Sequence, residues 1–146
     1  MISELMSILG FAQRSTVAAS SKRSEANKLN AEFEKTMNSN VLWLQTEQIY
    51  LRHRVEALPE EPEEARELLA QIDTTIDMLL TEIGVGLETA SNSRSTIASA
   101  SNFATLSQWD ELIGILHQQK NAAELQFERS RLTLGQFHRI LDNAVE

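Results

Sequence analysis

The chain has 146 residues, 42% hydrophobic and 5% aromatic, with a formal net charge of −8 and no cysteine. That length suits one domain, and the absence of cysteine excludes disulfides, thiol catalysis and cysteine-ligated zinc or iron–sulfur centres. The excess charge is local: residues 59–90 hold nine acids against Arg66, while both flanks are near balance. Phosphate contacts need clustered Lys and Arg, so nucleic acid is not an expected partner, and the small patch of Lys22, Arg23 and Lys28 reads as a solvated helix face.

The expected fold class is all-α, a long antiparallel helical hairpin or bundle with coiled-coil-like packing. Helices are expected over about 3–38, 41–58, 61–90 and 107–143, with 91–106 either helix or loop. The chain opens on ISELMSILGF, in which Leu5 and Leu9 share a helical face. An acid at Glu4 and no base before Arg14 argue against a Sec signal. The same lack of bases ranks docking of residues 1–15 on a protein above a membrane-surface contact through residues 1–12. Along 3–38 the shared face, including Ala19, Ala26, Phe33 and Met37, is mostly small, and the NSN of Asn38 to Asn40 predicts a cap, a kink or a short break.

Val41, Leu44, Gln48, Leu51, Val55 and Leu58 then follow a spacing of three and four, an apolar seam with one polar insertion. Trp43, Ile49 and Tyr50 lie off it, so further apolar surface is expected to await another helix. Pro59 and Pro62 break the helix within ALPEEPEE, and Pro62 with Glu63 and Glu64 suits the start of the next one. A second seam follows, through Ala65, Leu69, Ile72, Ile76, Leu79 and Ile83. Two seams flanking a short break predict that 41–58 and 61–83 fold back on each other, and Gly84 and Gly86 are expected to weaken the second helix near its end. The small-residue stretch RSTIASAS at 94–101 resembles RSTVAASS at 14–21 in five of eight positions, with no identity in the flanks. This reads as shared composition, and it raises the expectation that the two segments pack together.

The last helix is expected to start at a Ser107 cap, with Asp110 three residues on. Its main stripe is Trp109, Ile113, Leu116, Ala123, Phe127, Leu134, Phe137 and Leu141, interrupted by Lys120 and Ser130. A second stripe holds Ile115, Ala122, Leu125, Leu132 and Ile140, which predicts a helix central in a bundle or shared with another chain.

No catalytic, cofactor or metal site is expected. His53, His117 and His138 stand far apart without HExxH or Glu-x-x-His spacing, no phosphate loop or nucleophile elbow occurs, and consecutive acids at 60–64 are explained by the helix dipole. The candidate interface comprises Leu5, Leu9, Trp43, Ile115, Leu125, Leu132 and Ile140. The expected function is a non-enzymatic assembly or adaptor protein, a homo-oligomer or part of a virion, secretion machine or filament, cytoplasmic or assembly-associated. The alternative is a small acidic helical chaperone or inhibitor masking a basic or amphipathic protein. An enzyme ranks last, unless Lys120 lies buried beside a perturbed carboxylate.

Overall fold

The computed structural model describes residues 2–59, 62–100 and 105–145, without the side chains of residues 2–18, 62 and 145. The described residues form three helices and no strand: α1 (Ile2–Glu56), α2 (Pro62–Ser99) and α3 (Leu106–Val145). They divide into two compact units, one of residues 1–34 and 89–121, the other of residues 35–88 and 122–146. In each, segments of all three helices pack around an apolar core, as in a helical bundle.

The expected break at Asn38 to Asn40 does not occur; α1 runs through it. The reason is the spacing of buried groups: Phe33, Met37, Asn40 and Leu44 follow intervals of four, three and four, and all four are buried. Asparagine costs a helix only about 0.7 kcal/mol, whereas each buried Met or Leu side chain contributes roughly 1.5–3 kcal/mol. Asn40 therefore takes the inward position that the sequence assigned to Val41, which is half-buried.

α2 likewise continues past its glycines and takes in 91–99, which the sequence left between helix and loop. Ile72, Ile76, Leu79, Ile83, Ala90 and Ile97 are buried at intervals of four, three, four, seven and seven. Two glycines cost about 2 kcal/mol together, less than the aliphatic burial on either side. At its end the Arg23 guanidinium donates to the Ala100 carbonyl, a cation where the last carbonyls lack helical partners.

The main stripe of α3 lies inward as its spacing predicted: Trp109, Ile113, Leu116, Ala123, Leu134 and Leu141 are buried, and Phe127 and Phe137 half-buried. Ser130 is also buried, its hydroxyl donating to the Gln126 carbonyl at 3.1 Å. The cap lies two residues earlier than the expected Ser107, at Thr105, and the helix begins at Leu106. Thr105 Oγ1 accepts from the Gln108 amide at 3.2 Å while Gln108 Oε1 accepts from the Thr105 amide at 3.0 Å, a reciprocal capping box. Thr105→Ala should cost about 1 kcal/mol in urea unfolding, while Ser107→Ala should be nearly neutral.

In the first unit Ala26, Leu29, Ile97, Trp109, Ile113 and Leu116 form one buried cluster, with Ala100 and Leu112 against it. Ile97, from the second small-residue stretch, thus packs with Ala26 and Leu29, beyond the end of the first. Side chains 14–18 of that first stretch, and residue 101 of the second, lie outside the described residues.

Candidate protein-interaction faces

The polar residues nearest to forming a site are mostly consumed in holding helices together. Lys22 pairs with Asp110 at 2.8 Å, and Arg23 lies over the Trp109 ring at 5.6 Å. Two of the three cations in the supposed solvated patch are therefore engaged. Arg94 pairs with Glu34, Arg52 with Asp73 at 3.0 Å and Arg129 with Glu82 at 3.3 Å. Asn30 is buried and donates to the Ala90 carbonyl at 3.0 Å.

Lys120, on the inward stripe of α3, pairs with Glu32 at 3.0 Å and remains partly exposed. The Lys120 hydrogen bond holds the Glu32 carboxyl below its ordinary value of 4.5, against the effect of burial, with the charges of Lys120, Lys28 and His117 adding to it. A carboxylate held ionised is not a proton donor, and the pair joins α1 to α3 within the first unit. Its contribution is present above pH 4.5 and lost as pH falls through the lower folded value. The stability gap between wild type and Lys120→Met should accordingly close in urea titrations below pH 4.5. Lys22 has the opposite sign. Its hydrogen bond to Asp110 and the Asp110 charge raise it above 10.5, against burial and with Glu25 adding, so its contribution is full below 10.5 and fades as pH rises through the folded value.

His138 is half-buried among protein partners. Its Nε2 lies 2.5 Å from Glu47 Oε2 and its Nδ1 3.1 Å from Arg54 Nη1, with the Tyr50 ring 5.6 Å away. Arg54 can only donate, so Nδ1 is the acceptor in that contact and Nε2 faces the Glu47 carboxyl. Arg54 also reaches Asp142 at 2.6 Å. Both ring nitrogens are thus occupied by protein partners, which makes the cluster a clasp between α1 and α3 in the second unit. His53 and His117 are exposed. Among the described residues no three His, Asp or Glu side chains gather as a metal site. A depression of about 570 Å³ is lined by Ser20, Ser21, Ser24, Glu25 and Lys28 of α1 alone.

What remains is apolar surface. Of the sequence-based candidates, Leu5 and Leu9 lie where side chains are outside the described residues. Trp43 is half-buried, edge-on to Phe127 with ring centroids 6.0 Å apart. Ile115, Leu125, Leu132 and Ile140 are all exposed, so the second stripe of α3 faces away from the core and the helix is not central. Leu42, Met78 and Val85 were missed, whereas Ile49 and Tyr50, expected to leave apolar surface for another helix, are both exposed. The missed signal is a second periodicity: in the second unit each helix carries two large aliphatics seven residues apart, Leu42 and Ile49, Met78 and Val85, Leu125 and Leu132. All six are between 51% and 72% exposed. Scattered single apolar residues are ordinary on a surface, whereas stripes at helical spacing are what one helix offers to another.

Comparison of the chain with protein-family models, curated proteins and solved structures finds no match. No described helix is long and apolar enough to cross a membrane.

Proposed function

We propose that the chain is a non-enzymatic helical assembly or adaptor protein, which self-associates or docks in a larger complex of the virion, secretion-machine or filament kind. The observation that carries this reading is the exposed aliphatic pair on each helix of the second unit. Burying one such side chain is worth roughly 1.5–3 kcal/mol, so three outward pairs represent a large unused driving force for association. The helices are read as an antiparallel coiled coil. Within the first unit α1 partners descend along α2, Arg23 with Ala100 and Asn30 with Ala90, and ascend along α3, Lys22 with Asp110 and Glu32 with Lys120. Inward positions alternating by three and four support the same packing.

The exposed acids of α2, Glu63, Glu64, Glu67, Asp77 and Glu88, support a second reading, an acidic chaperone or inhibitor of a basic partner. Crosslinking in the native source followed by mass measurement separates the possibilities. Recovery in a complex of many subunits is the expected result, a one-to-one complex with a basic protein favours the second reading, and recovery as an uncrosslinked 16.4 kDa chain overturns both.

A further inference from the structure

The aliphatic pair on α1 belongs to a longer stripe. Lys35, Leu42, Ile49 and Glu56 recur every seventh residue, all four are exposed, and all lie in the second unit. At about 100° per residue, the stripe runs between about 120° and 180° round the helix from buried Leu44, on the side turned away from the core, where another helix has room to lie. Its two aliphatics are bracketed by opposite charges, a base before and an acid after. Arg52, one turn from Glu56, is held by Asp73 at 3.0 Å, whereas Lys35 and Glu56 are in no ion pair among the described residues. The other stripes lack this arrangement. Seven residues either side of the α2 pair lie neutral Gln71 and Asn92, and either side of the α3 pair lie Gln118 and Arg139.

We propose that the stripe of Lys35, Leu42, Ile49 and Glu56 docks on the same stripe of a second copy, with the two α1 helices antiparallel about a two-fold axis between Gln45 and Thr46. This rests on the self-association reading above. Setting Leu42 of each copy opposite Ile49 of the other brings Lys35 opposite Glu56 at both ends, so two ion pairs bracket four aliphatic side chains. In the same alignment Gln45 meets Thr46, Asn38 meets His53 and Ser39 meets Arg52, and no like charges oppose. A parallel alignment in register keeps the aliphatic match but sets Lys35 against Lys35 and Glu56 against Glu56. Sliding the antiparallel pair by one heptad sets a charge against an aliphatic. Laying the α1 stripe parallel on the α3 stripe pairs Glu56 with Arg139 but leaves Lys35 on Gln118. A two-fold contact between like stripes closes on itself, so it yields a dimer and leaves the α2 and α3 pairs for other partners.

The test is light scattering of the purified full chain over a range of concentrations at low ionic strength, with Ile49→Asp as the contact variant and Lys35→Glu and Glu56→Lys as charge variants. All three side chains are exposed, so unchanged helicity at concentrations where wild type is monomeric verifies folding, and Ile49→Ser replaces Ile49→Asp if that check fails. Wild type is expected to rise from 16.4 kDa to twice that mass, and Ile49→Asp to stay monomeric. Each charge variant alone sets like charges together at both ends and should weaken the dimer about tenfold. The double variant Lys35→Glu/Glu56→Lys, and an equimolar mixture of the two single variants, should regain wild-type affinity, since opposite charges meet again. Charge variants that dimerise as tightly as wild type overturn the antiparallel pairing. Weakening by Glu56→Lys alone, unrestored by adding Lys35→Glu, overturns it in favour of docking on α3. Ile49→Asp that dimerises like wild type overturns the use of this stripe while leaving self-association standing. A wild-type monomer at the highest soluble concentration overturns the proposal as well, and recovery in a complex from the native source then assigns docking to a different protein.

Discussion

Ile76→Asp should abolish cooperative unfolding of the second unit and remove much of the helical circular dichroism signal. Ile76 is fully buried on α2, in a run with Ile72, Leu79 and Ile83 that is buried throughout. The substitution deletes an aliphatic group worth roughly 2–5 kcal/mol when truncated to alanine, and adds a carboxylate with no partner in an apolar surround. Both costs fall on a protein whose whole stability is of order 5–15 kcal/mol. Ile76→Val, which keeps shape and polarity, should cost only about 1 kcal/mol. A melting curve for Ile76→Asp like that of wild type would mean that α2 does not bury this stripe.

Gly86→Ala should destabilise the protein although alanine is the better helix former, while Gly84→Ala, two residues away, should stabilise it. A Cβ at Gly86 would lie 2.5 Å from Met37 Sδ, and because Met37 is buried its flexible end would have to repack within the core. The helix gains about 1 kcal/mol from losing a glycine, but overpacking a filled interior costs typically 1–3 kcal/mol, so the clash decides the sign. At Gly84 there is no neighbour to meet, and the gain of about 1 kcal/mol stands alone. Urea unfolding of the two variants and of Gly86→Ala/Met37→Ala checks this. In the double variant the clash is relieved, so its loss should fall short of the sum of the single losses. Equal responses at the two glycines would show that Met37 does not occupy the space beside Gly86.

These two glycines also show where the sequence was legible and where it was not. Periodicity identified the inward residues of α2 and α3 because burial recurs at three and four along each helix, and both tryptophan-led segments proved helical. Local signals misled wherever packing outweighed them. Asn38 to Asn40 looked like a break because asparagine is a good cap and a weak helix former, yet Asn40 sits where the interval from Met37 and Leu44 needs an inward residue. Ser107 looked like a cap, but Thr105 has glutamine at the spacing that closes the reciprocal bonds. The His138 clasp was invisible for a different reason: Glu47 lies 91 residues away in the chain, and no local pattern announces a contact made only by folding. The outward aliphatic pairs were half-visible. The stripe on α3 and the off-seam surface at Ile49 on α1 were noticed, but Leu42 and the pair on α2 were overshadowed by stronger inward seams running beside them.

Long helices that repeat every seven residues carry an ambiguity, since sliding one past another by a heptad still matches apolar to apolar. Such a slip moves a helix by about 10 Å along its axis, too far for Asn30 to keep its bond to the Ala90 carbonyl. The displaced amide would then sit against hydrocarbon at a cost of about 1–3 kcal/mol. Asn30 thus acts like a notch on an otherwise uniform ruler, and with Arg23 on the Ala100 carbonyl and Glu34 on Arg94 it fixes the alignment of α1 with α2 within the first unit.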